Sequence, residues 1–206
     1  MVRCAHFTTN GLRSVGPLCK ALYEDMKTLI LIDVQKGFDD PFWGIRNNPE
    51  AEEVIHNLLS MWRANRGNVV HVQHCSIETD CPLYQYGGGV EFKDFAMPIG
   101  SEPVFKKHVN SAFIGTNLQK YLSDTNSKDL VVVGFTTDHC VSTSVRMAGN
   151  FGFNVDLVAD ATATFDRYDH LGNYHSAEAI HNVHLASLHK EFCKVTLASS
   201  ILRPRV

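Results

Sequence analysis

The sequence predicts a doubly wound α/β fold, in which a mostly parallel sheet of five to six strands carries helices on both faces. Aliphatic runs of strand length alternate with segments of helical periodicity, which is the pattern of parallel strands joined by helices. The runs are continuous rather than alternating, as expected for strands buried on both faces. Because no internal repeat or low-complexity linker divides the chain, we predict one domain at residues 27–206, after an N-terminal extension at 1–26.

The first three elements follow from residue type and spacing. Residues 28–34 (TLILIDV) form an apolar run of strand length, and we predict a second strand at residues 68–74 (NVVHVQH). Between them, residues 49–66 carry apolar side chains at helical spacing. Asn48 is the expected N-cap of this helix, and Gly67 is a residue at which it can end.

The later elements continue the alternation after a long irregular stretch at 76–102, which contains three consecutive glycines. A loop of this length is typically a lid or a binding loop, and a tolerated surface insertion is the alternative. After it the sequence predicts, in order, a strand at 103–107, a helix at 116–122, a strand at 130–134, a helix at 138–149, a strand at 152–159, a long helix at 174–191 and a last strand at 192–197.

Composition excludes several classes of protein. The chain has 206 residues, of which 44% are hydrophobic and 20% charged, as in ordinary globular domains. A net charge of −3 from 19 basic and 22 acidic residues argues against a nucleic-acid partner and against a polybasic membrane footprint. No apolar run approaches the length of a membrane span.

The cysteines and the N-terminal residues indicate the cellular compartment of the protein. Six cysteines lie far apart and form no CxxC pair, which favours free thiols in a reducing compartment. We therefore expect a cytoplasmic protein. Basic residues precede the first acidic residue, Glu24, with Ser and Thr among them. A mitochondrial location is the alternative if residues 1–26 are a transit peptide.

The strongest chemical signal is a cysteine placed directly after a buried strand. Residues 129–141 read as an apolar strand, a tight turn and a helix whose opening turn carries Cys140. Free N–H groups and a partial positive charge at a helix N-terminus lower the pKa of a thiol and can bind an oxyanion. The pattern predicts a nucleophilic cysteine, and a small buried hydrophobic residue is the alternative.

Two further reactive side chains stand at predicted strand ends. Asp33 closes the first strand and Lys107 closes the third, and ligands of open α/β sheets bind outside the carboxyl ends of the strands. Taken alone, Asp33 could be a turn acid and Lys107 a solvated lysine. Together with Cys140 they make a base, a cation and a nucleophile. His139 is an alternative base, but adjacent helical residues diverge by about 100°, so we expect it at the rim or in a structural role.

Several motifs resemble those of the isochorismatase-like cysteine hydrolases. In chain order they are D-V-Q at 33–35 with Phe38, Lys107 with S-A-F at 111–113 and G-T at 115–116, G-F-T-T-D-H-C-V at 134–141, D-A-T-A-T-F at 160–165, and S-L-H-K-E-F at 187–192. The resemblance covers about residues 27–202 and implies an isochorismatase-like fold.

The resemblance also implies functional residues. Carried over position by position, it implies a catalytic triad of Asp33, Lys107 and Cys140. It implies a cis peptide bond between Phe135 and Thr136, and an oxyanion hole formed by the N–H groups of Thr136 and Cys140. Two converging donors of this kind stabilise a tetrahedral intermediate. A homo-oligomer, either a dimer or a tetramer, is expected on the same ground.

With this triad we predict cleavage of a C–N bond in a small amide, ureido or carbamoyl compound, through a thioester on Cys140 and without a cofactor. Family members that hydrolyse nicotinamide hold a metal with an Asp-x-His motif and a later His. Residues 71–76 (HVQHCS) lack the aspartate, and His71 and His74 project to opposite faces of a strand. We therefore predict a pocket without metal. The residues expected to contact the substrate, for which core packing is the alternative, are Gln35, Phe38, Trp43, Phe113, Phe165 and Tyr168.

Three other interpretations stay open at this point. Vinyl-ether hydrolysis of isochorismate needs no thiol nucleophile, so Cys140 favours C–N cleavage over it. A catalytically idle member would act by oligomerisation or binding. A redox-sensing thiol lacks a second cysteine nearby in the sequence to resolve a sulfenic acid. The sequence does not identify the amide.

Overall fold

The computed structural model of the chain describes residues 26–202, and apart from Met26 the predicted N-terminal extension lies outside them. The strands of the described part are β1 (Thr28–Ile32), β2 (Val69–His74), β3 (Val104–Lys107), β4 (Asp129–Phe135), β5 (Asn154–Ala163), β6 (Arg167–Tyr168), β7 (Tyr174–His175) and β8 (Lys194–Thr196). Six of these strands form one parallel sheet in the order β3–β2–β1–β4–β5–β8. β6 and β7 pair separately as an antiparallel hairpin.

Helices cover both faces of the sheet. They are α1 (Ala51–Ala64), α2 (Leu118–Asp124), α3 (Ser142–Asn150), α4 (Ala177–Leu188) and the short α5 (Ala198–Ile201). Residues of α1 and α5 belong to the core on one face, and residues of α2, α3 and α4 belong to the core on the other. The predicted fold class is confirmed. None of the helices in residues 26–202 combines the length and the apolar character that crossing a bilayer needs.

The continuous apolar run of β1 is explained by this two-sided burial. Successive strand residues point to opposite faces, so Leu29 and Leu31 pack on the side of α1, while Ile30 and Ile32 pack on the other side. All five residues of β1 are buried. Both faces therefore need apolar side chains at 29–32, and the one polar residue of the strand, Thr28, stands at its first position.

The ends of two helices differ from their predicted positions. Asn48 is not the N-cap of α1, because Glu50 occupies that position. Asn48 has a left-handed φ of 43°, and its side-chain amide donates to the carbonyl oxygens of Ala159 and Thr162. Asn48 thus ties the loop before α1 to β5. Helix α4 begins later than predicted, after the N-cap Ser176, because the residues before it pair in the β6–β7 hairpin.

Two further elements are longer or more irregular than predicted. β5 continues to Ala163, and its register against β4 shifts between Val132 and Gly134. The helix that carries Cys140 opens with a π-helical turn, Thr137–Val141, before α3 begins. Sequence periodicity does not distinguish a single wide turn from the start of an ordinary helix.

The long loop at 76–102 contains local structure. It includes 3₁₀ turns at Gly88–Val90 and Asp94–Ala96. Isolated β-bridges pair Gln35 with Phe92 and Ser76 with Tyr84. The loop is therefore held against the segment that follows β1, and its function as a lid or binding loop stays a prediction.

Gly134 fits β4 closely against β1 just before the candidate site. Its φ is +118°, and a Cβ placed there would collide with the carbonyl oxygen of Ile32. Glycine is needed at this position both for its backbone conformation and for the close approach of the two strands.

We expect Gly134→Ala to lower the free energy of unfolding by about 3 kcal/mol, because backbone strain and overpacking act together. Gly152→Ala is the matched control, since Gly152 also has a positive φ, of +83°, but faces open space. Gly152→Ala should lower the free energy of unfolding by only about 1 kcal/mol. Chemical denaturation of the two variants measures the difference. Equal losses would show that the contact with Ile32 is unimportant.

Candidate active site

The candidate site lies where the chain changes direction across the sheet. From β1 the strand order runs outward through β2 and β3, and from β4 it runs outward the other way through β5 and β8. Such a switch point opens a crevice at the carboxyl ends of the strands. Asp33 follows β1, Lys107 ends β3 and Cys140 lies in the turn after β4. All three predicted residues are therefore at the same edge.

The ammonium group of Lys107 is at the centre of the site. Its Nζ donates to Asp33 Oδ2 at 2.6 Å and lies 2.9 Å from His74 Nδ1 and 3.3 Å from Cys140 Sγ. An ammonium has three protons, so each proton has one partner. The side chains of Lys107 and Asp33 are fully buried.

His74 also belongs to the site. Its spacing from His71 in the sequence suggests only a candidate metal ligand. It ends β2 and is directly opposite Lys107 in the parallel register of β2 and β3. The rule that singled out Asp33 and Lys107, a polar residue at a strand end, applies to His74 as well. That rule would have found it.

Asp33 is turned into the site by its backbone. Its φ of 52° is in the left-handed region, which Asp tolerates better than most residues. Its N–H still donates to the carbonyl of Val72, and its carbonyl accepts from the N–H of Gln35. The strained residue is thus held on both sides, with its side chain facing Lys107.

The charges in the site influence one another. Burial raises the pKa of Asp33, against the opposing attraction of Lys107, which makes Asp33 a stronger base than an exposed aspartate. Burial acts to lower the pKa of Lys107, but the attraction of Asp33 and Cys140 outweighs it and the pKa is raised. Lys107 is therefore a cation at neutral pH.

Cys140 rests as a thiol in this environment. Burial and the neighbouring Asp33 carboxylate raise the pKa of Cys140, and Lys107 only partly offsets them. This net direction is opposite to the lowering expected from a helix N-terminus, because burial and the carboxylate dominate. Activation must come from transfer of the thiol proton to a base.

Asp33 is placed to be that base. One of its carboxylate oxygens lies within 4.8 Å of Cys140 Sγ. Its Oδ1 is buried and has no hydrogen-bond partner in the described part of the chain. Because Oδ2 already accepts from Lys107, Oδ1 is the oxygen of Asp33 that remains to accept a proton.

The predicted oxyanion donors lie in the turn between β4 and α3. The peptide bond between Phe135 and Thr136 is cis. The carbonyl of Thr136 accepts the N–H groups of His139 and Val141. Among residues 26–202, the N–H of Thr136 donates to no protein acceptor, so it is free to bind one. An oxyanion hole at Thr136 and Cys140 stays a prediction.

Comparison with known proteins agrees with this geometry. Residues 27–196 match the Isochorismatase domain family. The chain belongs to the isochorismatase family. It is 42% identical to the isochorismatase family protein YrdC of Bacillus subtilis over 179 residues, which cover 87% of this chain and 96% of YrdC.

Another relative and a solved structure extend the comparison. Nicotinamidase 3 of Arabidopsis thaliana is 38% identical over 142 residues, which cover 69% of this chain and 65% of that protein. A solved isochorismatase-family protein from Chromobacterium violaceum is 42% identical, with a TM-score of 0.83 over 86% of this chain and 92% of its own. This chain is an isochorismatase-family hydrolase.

The aromatic residues predicted to contact the substrate lie in three separate places. Phe38 and Phe165 are buried in the core, where Phe38 packs against Phe135 and Trp43 stacks on Phe165. Phe113 packs against Phe151 and Phe153, beside the core on the opposite face. Tyr168 is 72% exposed on the hairpin. Packing explains these positions, so substrate contact by any of them stays a prediction.

Gln35 has a different task from the one predicted. It is fully buried. Its Oε1 accepts the N–H of His74, and its Nε2 donates to the carbonyl oxygens of His74 and Val90. Both amide protons are used within the protein, so neither remains for a substrate.

His139 points to a different part of the molecule. It contacts Asp138 and lines, with Arg167 and His184, an open cavity of about 320 Å³. Asp138 is buried, and its carboxylate accepts from Thr164 and Arg167. Cys140 faces Lys107 instead, as the angle between adjacent helical residues requires.

One group of side chains has the composition of a metal site. Within residues 26–202, the ligand atoms of Asp33, His74 and Cys140 are the ones that lie close enough together to share an ion. The Lys107 ammonium contacts all three of them. A metal ion there would face a fixed positive charge at close range, so these residues do not fit a metal while Lys107 is protonated.

Asp33→Asn should lower the pKa of Cys140, because the carboxylate that opposes the thiolate is removed and Lys107 then faces the sulfur alone. We expect the pH midpoint for alkylation of Cys140 by iodoacetamide to fall by at least about one unit, which corresponds to about one pKa unit. Peptide mass spectrometry separates Cys140 from the other cysteines. Asp156→Asn, in a distant ion pair with Lys27, is the control. An unchanged or raised midpoint in the Asp33 variant would contradict the charge assignment.

Proposed function

We propose that this isochorismatase-family hydrolase cleaves a C–N bond of a small amide, ureido or carbamoyl compound through a thioester on Cys140. The observation that carries the proposal is the position of the Lys107 ammonium, which contacts both the carboxylate of Asp33 and the sulfur of Cys140. A base, a cation and a thiol in mutual contact are the groups that acyl transfer to sulfur needs.

In the first half of the reaction, the Cys140 thiol passes its proton to Asp33 as the sulfur attacks the substrate carbonyl. The Lys107 ammonium stabilises the negative charge that forms on sulfur. The carbonyl oxygen becomes an oxyanion, which the N–H groups of Thr136 and Cys140 bind. When the tetrahedral intermediate collapses, the C–N bond breaks and the leaving amine takes the proton from Asp33. A thioester remains on Cys140.

In the second half, water replaces the amine. Asp33, again a carboxylate, takes a proton from a water molecule while the oxygen of that water attacks the thioester carbonyl. The C–S bond breaks, the acid product forms, and the sulfur regains a proton from Asp33. Protons and charges return to the resting arrangement, so no cofactor is consumed.

Two observations support cleavage of a C–N bond over cleavage of an ether. An ether hydrolase needs no thiol nucleophile, whereas this site surrounds a thiol with a base and a cation. Nicotinamidase 3, whose name specifies an amide substrate, is a relative at 38% identity. Nicotinamidases carry a metal-binding Asp-x-His in the region that reads H-V-Q-H-C-S at 71–76 of this chain. We therefore do not propose nicotinamide itself as the substrate.

Cys140→Ala should abolish release of ammonia or amine from any amide that the protein hydrolyses, with a loss of at least about a thousandfold in kcat. Cys193→Ala is the control, because Cys193 is another buried free thiol of the same core. A panel of amides, ureido compounds and carbamoyl compounds supplies the substrates. Intact-mass measurement should detect an acyl adduct on the wild-type enzyme that is absent from Cys140→Ala.

Each alternative gives a different result in this experiment. Turnover retained by Cys140→Ala would refute the nucleophile. Cleavage of isochorismate without an adduct would favour the vinyl-ether hydrolase. A folded wild-type protein that turns over no member of the panel would favour an idle or binding role.

Amide hydrolysis should survive exhaustive treatment with EDTA and dipicolinate, because the Lys107 ammonium takes the place that a metal would need. Activity before and after chelation, together with metal content by mass spectrometry, measures this. A loss of activity that zinc restores would overturn the proposal of a site without metal.

A further inference from the structure

The ammonium of Lys107 has one more partner than the proposed chemistry uses. Asp33 is the base and Cys140 is the nucleophile, but the third proton of the ammonium meets His74 Nδ1 at 2.9 Å. His74 is partly buried at the end of β2, next to Lys107 in the sheet register. No step of the reaction requires an imidazole there.

His74 is neutral under ordinary conditions. Burial and the positive charge of Lys107 lower the pKa of His74 to about 4, and His108 adds to the effect. The ionisable groups around it are Lys107 and His108 at and after the end of β3, Asp33 after β1, and Cys140 in the turn after β4. A neutral ring whose Nδ1 faces an ammonium carries its proton on Nε2 and accepts through Nδ1.

The backbone of His74 is held by one side chain. Gln35 accepts the N–H of His74 at 2.8 Å and donates to its carbonyl at 2.9 Å. Gln35 lies two residues after Asp33 on the same segment. One short stretch therefore fixes two of the three acceptors of Lys107, Asp33 directly and His74 through Gln35.

We infer that His74 is a positioning residue, which accepts one proton of the Lys107 ammonium so that the other two are aimed at Asp33 and Cys140. This inference rests on the proposed function for its effect on turnover. Its effect on the thiol is independent of any substrate.

The unpartnered oxygen of Asp33 shows what His74 prevents. Asp33 Oδ1 is buried without a partner among the described residues, and it is the acceptor that must receive the thiol proton. If His74 no longer accepted, the freed ammonium proton would be drawn to this oxygen. Lys107 would then bind both oxygens of Asp33, which weakens the base and withdraws the cation from Cys140. Both changes slow attack by sulfur.

Two substitutions separate positioning from structure. His74→Leu has similar volume but no acceptor. His74→Asn places an amide oxygen close to the position of the imidazole Nδ1, and so keeps the acceptor. We expect His74→Leu to lower kcat on a hydrolysed amide by roughly 10- to 100-fold, as for other residues that orient a reactive group, with KM within about twofold. We expect His74→Asn to recover most of this loss.

The second measurement needs no substrate. The pH dependence of Cys140 alkylation by iodoacetamide, followed on the Cys140 peptide, should move to higher pH in His74→Leu by at least about 0.5 unit, roughly a threefold slower reaction at fixed pH. His74→Asn should restore the wild-type profile. Thermal unfolding confirms that each variant is folded. If His74→Leu does not fold, His74→Gln replaces it, because its longer side chain moves the acceptor away from the Nδ1 position.

The outcomes are distinct. A wild-type alkylation profile in folded His74→Leu or His74→Gln would overturn the inference, even if kcat fell. A His74→Asn variant no better than His74→Leu would overturn it as well. If no amide is hydrolysed by the wild-type protein, the proposed function fails, and the alkylation profiles still decide the role of His74.

Discussion

A lysine ammonium enclosed by protein has no water to solvate it, so its protons must find acceptors within the fold. Lys107 meets this requirement with one acceptor from each of three other chain segments, namely Asp33 after β1, His74 at the end of β2 and Cys140 after β4. Removing one partner of a buried ion pair typically costs about 3–5 kcal/mol. The order of the sheet strands and the chemistry of the site are therefore linked through one cation.

The same arrangement determines the resting state of Cys140, the proposed nucleophile. Burial and the Asp33 carboxylate keep Cys140 as a thiol, although a cation lies 3.3 Å away. A thiol of raised pKa reacts slowly with oxidants, which disfavours a redox-sensing role for this cysteine. The site suits a nucleophile that becomes reactive only when its proton moves to Asp33, next to a bound carbonyl.

Most side chains of the site belong to short sequence segments at the ends of strands. The rule that reactive side chains lie at the carboxyl ends of parallel strands is enough to identify Asp33, Lys107 and Cys140. The same rule covers His74, although its spacing from His71 suggests a metal ligand instead. Gln35 follows Asp33 in a family motif, which predicts contact with substrate. Its real partners, His74 and Val90, are 39 and 55 residues away along the chain.

The fold class and the position of Asp33, Lys107 and Cys140 at one edge of the sheet follow from the sequence alone, because both depend on local features. Those features are runs of aliphatic residues, their alternation with helical spacing, and polar residues at the ends of the runs. The protonation of Cys140, the third partner of Lys107 and the burial of Phe38 and Phe165 are set by tertiary structure. Each of these depends on which distant segments exclude water from a group and which charges they bring within a few ångströms. Local sequence does not encode such distances.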